Sequence, residues 1–148
     1  MYNIELQHLT IQNAEAEMLK AVENICDSFG LENQFGIFSY AMHELLSMME
    51  ECCEDQDQHF SINFYVESDR ISVQIVDFQN IEEVEQQLSS ASLNQTETSA
   101  YTVATLSDGH ELRHEGEELW LDFMATPTFQ AVDRAAILHR ENVFKKTI

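Results

Sequence analysis

Basic residues are few: seven Lys plus Arg stand against 27 Asp plus Glu in 148 residues, a formal charge of −20. A field of that sign repels nucleic-acid phosphates and anionic lipid heads. Nucleic acid and membranes are therefore excluded as expected partners, and a basic protein surface is favoured. Cysteine is also scarce. Cys26 and the adjacent Cys52 and Cys53 form no disulfide framework, which points to a reducing compartment. No run approaches the roughly 18 apolar residues of a membrane span, and residues 1–12 lack a basic and then apolar leader, so a cytoplasmic location is expected. Glycine is limited to Gly30, Gly36, Gly109 and Gly116. None of them sits in a loop able to wrap phosphates, where backbone N–H groups must approach closely. Internal repeats and low-complexity tracts are missing too.

An apolar content of 44% in a chain of this length closes one core of ordinary size. Residues 2–11 alternate loosely around Ile4, Leu6 and Leu9, which predicts a strand. The period then changes: Met18, Val22, Ile25 and Phe29 fall on one stripe of a helix over 14–29, with Gly30 to end it. Phe38, Met42, Leu45, Met49 and Cys52 predict a second helix over 34–53. Ile62, Phe64 and Val66, then Ile71, Val73 and Ile75, alternate on either side of a polar turn and predict a hairpin. A short helix over 81–88, a mobile loop, a helix over 99–106 and strands over 110–114 and 118–123 follow. Helices segregated on one face of a mixed, mostly antiparallel sheet make this an α+β two-layer sandwich. Beyond Pro127 a C-terminal helical extension, 126–148, is expected, with Thr128 as cap and Phe129, Val132, Ala136 and Val143 in line.

Three pieces of this order resemble the histidine-kinase-like (GHKL, Bergerat-fold) ATPases, and within them the anti-sigma-factor serine kinases. The helix Tyr40-Ala41-Met42-His43-Glu44-Leu45-Leu46-Ser47-Met48-Met49-Glu50 is similar to the family's E-L-x-T-N-A helix. Glu44 stands where the general base is, and Met48 replaces the magnesium-binding Asn. The strand Ile71-Ser72-Val73-Gln74-Ile75-Val76-Asp77-Phe78-Gln79 resembles the one that ends in the D-x-G box. Asp77 stands at the adenine-binding Asp, and Gln79 replaces the glycine. The helix Thr98-Ser99-Ala100-Tyr101-Thr102-Val103-Ala104-Thr105-Leu106 and the hairpin to Phe123 look like the end of the same fold. The family's glycine-rich phosphate loop has no counterpart before that helix, and Glu97 puts a negative charge where a phosphate would sit. The resemblance covers residues 1–124, so the Bergerat-like domain is placed at 1–125.

Other constellations read more plainly. Cys52 and Cys53, with His43 and His59 nearby, suit zinc by ligand type, yet helix neighbours point about 100° apart; they read as core and surface thiols, and no metal site is expected. The run Glu50, Glu51, Glu54, Asp55, Asp57 lacks the sixth-position glycine and terminal Glu of a calcium loop and reads as a solvated face. Met42, Met48 and Met49 read as core filling, with Met48 plugging the space a nucleotide occupies in relatives. Trp120 points away from Leu119, Leu121 and Phe123, either covered by another element or presented to a partner. The tail carries Arg134, Arg140, Lys145 and Lys146, four of the seven basic residues, and is expected to dock on its own acidic domain, the alternative being an arm that projects to a partner.

The resemblance implies a regulatory protein-binding module: an anti-sigma-type domain that has lost ATPase and kinase catalysis and holds no cofactor. Its partner would be a sigma factor or an anti-anti-sigma-like protein, and its assembly a homodimer. The alternative is a divergent serine kinase, with Mg-ATP as cofactor, Glu44 as base and Asp77 on adenine. A purely structural protein that makes contact through its tail is a third reading.

Overall fold

The computed structural model describes residues 2–91 and 96–125; the extension expected over 126–148 lies outside them. The chain opens with strand β1 (Tyr2–Leu9) and helix α1 (Ile11–Phe29). The helix starts three residues earlier than its apolar stripe suggests, because the side chain of Asn13 accepts a hydrogen bond from the Thr10 backbone N–H at 2.9 Å and so closes the first turn. Gly30 ends α1 at φ 70°, a left-handed conformation that costs glycine little. After a single 3-10 turn, Glu32–Gln34, helix α2 (Phe35–Cys52) follows, and then the hairpin of β2 (Phe60–Val66) and β3 (Arg70–Val76). Helices α3 (Ile81–Ser89) and α4 (Ser99–Leu106) lead into β4 (Gly109–Arg113) and β5 (Glu118–Met124).

The five strands form one sheet in the order β1-β2-β3-β5-β4. Where a mixed, mostly antiparallel sheet is expected, every neighbouring pair is antiparallel. The α3–α4 connection carries the chain past the position of β5 to the sheet edge, and β5 then returns to pair with β3. Period-two patterning sorts the side chains. Ile62 on β2, Ile75 on β3 and Leu119 on β5 lie in one cross-strand row, all buried, and the helices cover this face. Phe38 of α2 ties the layers together, with its ring 6.0 Å from Phe64 and 4.9 Å from Phe123. The result is the α+β two-layer sandwich that the pattern predicts. No helix among the described residues is long and apolar enough to cross a membrane.

Candidate functional site

The helix α2 that carries Glu44 and Met48 is sandwiched between α1, α4 and the sheet. The Met48 side chain is buried. Glu44, one turn earlier, is half-buried and accepts a hydrogen bond from the Ser99 hydroxyl at 2.5 Å. Ser99 is the first residue of α4, so the carboxylate pins that helix to α2. Met48 lines a cavity of about 480 Å³ together with Glu51, Glu97, Thr98 and Ser99. Two carboxylates thus stand on its wall, at the start of the helix where an anion would otherwise be received. The Thr98 side chain already accepts from the Tyr101 N–H at 3.2 Å, which satisfies one of the orphan donors of that helix end.

Asp77 follows β3 in a separate place. It is exposed, at φ 66°, in a loop held by two long-range bonds: the Gln79 N–H donates to the Gln58 side chain at 3.0 Å, and the Asn80 side chain donates to the Cys52 carbonyl at 2.5 Å. Asp77 lines a cleft of about 900 Å³ with Glu82, Glu83, Glu115, Glu117 and Glu118, and no lysine or arginine is among the described residues that line it. The structure therefore places Asp77 in one cavity and Met48 in another, while Glu44 accepts from Ser99. These residues do not fit a magnesium nucleotide. Glu44, expected as base, accepts from Ser99, the position expected to hold a metal-binding amide carries the Met48 thioether that hard Mg²⁺ binds poorly, and carboxylates line both cavities.

The thiols and imidazoles also diverge. The Cys53 thiol donates to the Asp55 carbonyl at 3.0 Å, Cys52 is buried beside Gln87, His43 pairs with Glu15, and His59 faces His8. Among the described residues, no group of three or more His, Cys, Asp or Glu is placed to hold a metal ion.

The other face of the sheet carries a constellation that the linear pattern shows only as Trp120. Among the described residues no helix covers this face, yet Ser72 and Gln74 of β3 are only 8% and 9% exposed. Tyr65 from β2 and Trp120 from β5 close over them, stacked with 5.5 Å between ring centroids and 22° between planes. The Arg113 guanidinium lies 4.3 Å from the Trp120 ring centre, within cation–π range. Beneath the rings, Gln74 is the hub. Its carbonyl oxygen accepts from the Asn63 amide at 2.9 Å and from the Tyr65 hydroxyl at 3.0 Å. Its amide donates to Glu118 at 2.9 Å, and Glu118 accepts from the Trp120 indole N–H as well, at 3.1 Å. Asn63 Oδ1 is buried with no hydrogen-bond partner among the described residues. Burial, with Glu5 and Glu118 nearby, raises the Tyr65 phenol above its ordinary value, so it stays a donor throughout the neutral range. Register brings the group together: Asn63, Gln74, Trp120 and Glu111 share one cross-strand row, which no single strand's alternation shows.

No protein-family model matches the chain, and no curated protein matches it significantly.

Proposed function

We propose that this chain is a regulatory protein-binding module of the anti-sigma kind, working in the cytoplasm without turning over ATP. The observation that carries the reading is the Ser99 bond to Glu44. A carboxylate that fastens α4 to α2 has a structural role of its own, which favours binding over general-base work as the reason for its place here. The rigid platform of Tyr65, Trp120 and Arg113 supports a contact role. Such aromatic and arginine side chains supply large contact areas at small entropic cost, and the acidic field around them steers a basic partner into encounter. A sigma factor or an anti-anti-sigma-like protein meets that description, with this chain acting as a homodimer.

The sole tryptophan, Trp120, lies in the platform and provides the assay. Titration with a purified sigma factor or anti-anti-sigma protein is expected to shift its emission, and Trp120→Ala is expected to weaken binding at least tenfold. Mg-ATP is expected to leave the melting temperature unchanged. A ligand present at 100 times its dissociation constant would stabilise the fold by about 2.7 kcal/mol. A magnesium-dependent rise of that order, abolished by Glu44→Gln and Asp77→Asn, would establish the alternative, a divergent serine kinase.

A further inference from the structure

Three donors converge on one oxygen at the open face of the sheet. Glu118 Oε1 accepts from the Gln74 amide at 2.9 Å and from the Trp120 indole N–H at 3.1 Å, and a third nitrogen, Nε2 of His114, stands 3.4 Å from the same atom. A carboxylate oxygen offers two lone-pair sites, so the first two donors already fill it. The Glu118 side chain is withdrawn from water at 17% exposure, whereas the imidazole is 68% exposed. His114 is brought there by the turn between β4 and β5, in which His114, Glu115 and Gly116 take φ of 54°, 60° and 85° and the Glu117 N–H donates to the His114 carbonyl at 3.2 Å. Arg113 is the register partner of Glu118, but its guanidinium engages Glu111 at 2.5 Å and the Trp120 ring. Among the described residues, His114 is therefore the one basic side chain within 4.0 Å of Glu118.

We infer that His114 is a proton-operated switch on the aromatic platform: in acid its imidazolium displaces the Trp120 indole from Glu118, and at neutral and alkaline pH it leaves that bond intact. Neutral imidazole can turn a bare Nε2 to the carboxylate and then offers it nothing, while imidazolium donates from both nitrogens and carries a charge. Charge-assisted bonds are roughly twice as strong as neutral ones. The indole N–H is the longer-bonded of the two neutral donors, so it is the one that yields. Trp120 then loses the bond that fixes its edge, and its ring contacts with Tyr65 and Arg113 remain. The other titratable or charged groups around the pair are Arg113 and Glu111 of β4, Tyr65 of β2 with Glu5 of β1 beside it, Glu115 and Glu117 of the turn, and Asp77, Glu82 and Glu83 across the cleft that Glu118 also lines. None of these residue types ordinarily changes charge between pH 5 and 8, where imidazole does. The switch is independent of what the platform binds.

Trp120 is the sole tryptophan, so its indole N–H gives a single signal in nitrogen-edited NMR of the full chain. Between pH 8 and about pH 5.5 that signal is expected to move upfield, toward an unbonded indole, in one transition. His114→Asn suits a left-handed backbone, and its amide falls short of the Nε2 position; its signal is expected to keep the alkaline position throughout. Glu118→Gln keeps an acceptor and removes the charge, so the transition is expected to vanish although His114 is present. In the acid condition the parent's indole N–H is expected to exchange with solvent about tenfold faster than that of His114→Asn, equivalent to about 1.4 kcal/mol, and at pH 8 the two rates are expected to match. Circular dichroism at both pH values checks that the three proteins are folded alike. An indole signal that stays in place in the parent, or moves as far in His114→Asn, would overturn the inference. A transition that survives in Glu118→Gln would overturn it too, assigning the effect to imidazolium acting on the ring directly.

Discussion

The Ser99 hydroxyl donates to Glu44 across the α2–α4 contact, joining positions 55 residues apart in the chain at 2.5 Å. A hydrogen bond to a charged acceptor is worth about 1.5–3 kcal/mol. Ser99→Ala is therefore expected to lower unfolding stability by about 1–2 kcal/mol in urea titrations and to raise hydrogen exchange in α4 before the rest of the chain. Glu44→Gln, which keeps an acceptor in place, should cost less. A Ser99→Ala protein as stable as the parent would show that the bond does not hold the helices together.

The platform predicts a graded response. Tyr65→Phe removes one hydrogen bond at the rim and is expected to cost about 0.5–1.5 kcal/mol. Gln74→Leu strands the Tyr65 hydroxyl, the Asn63 amide and one lone pair of Glu118 together, and is expected to cost about 2–3 kcal/mol, since unpartnered buried polar groups bear the desolvation penalty. The Trp120 emission should shift to longer wavelength in Gln74→Leu and remain near the parent's in Tyr65→Phe. Equal costs for the two would mean that Gln74 is not the hub.

Asp77 occupies left-handed backbone space, which Asp tolerates better than branched residues do. Asp77→Gly is expected to leave stability unchanged or slightly improved. Asp77→Val is expected to lose about 1–2 kcal/mol. A chemical melt decides between this and a side chain retained for its own contacts, in which case Gly and Val would be equally harmful.

Alkaline pH is expected to weaken the fold. The Cys26 thiol is pushed up from 9.0 to about 11 by burial, with Asp27 and Glu32 adding to the effect. Burial raises the phenols of Tyr2 and Tyr65 as well. Each of these groups holds its proton more tightly folded than unfolded. Their contribution is thus fully present below pH 9 and is lost as pH rises toward 11, with a slope of at most about 1.4 kcal/mol per pH unit for one proton. Urea unfolding at pH 8, 9 and 10 would show the decline, and Cys26→Ala should flatten its first part. A parent curve flat to pH 10 would contradict this account.

Much of the fold was legible because its elements bury one face each. Met18, Val22, Ile25 and Phe29 repeat at helical spacing, and Ile62, Phe64 and Val66 at strand spacing, so burial follows from the local pattern alone. Helix α1 begins three residues before its apolar stripe because the Asn13 contact to Thr10, not an apolar residue, closes the first turn. The all-antiparallel pairing needed the β5 return beside β3, a choice made by long-range register.

Linear pattern by itself determined the acidic charge, the order of elements and which side chains enter the core, since each depends on residue type and short spacing. Only the tertiary structure decided that Glu44 meets Ser99, that Asp77 and Met48 line different cavities, and that Tyr65, Gln74 and Trp120 form one platform. Those relationships join strands and helices brought together by packing, over sequence separations of up to 55 residues, where no local periodicity carries information.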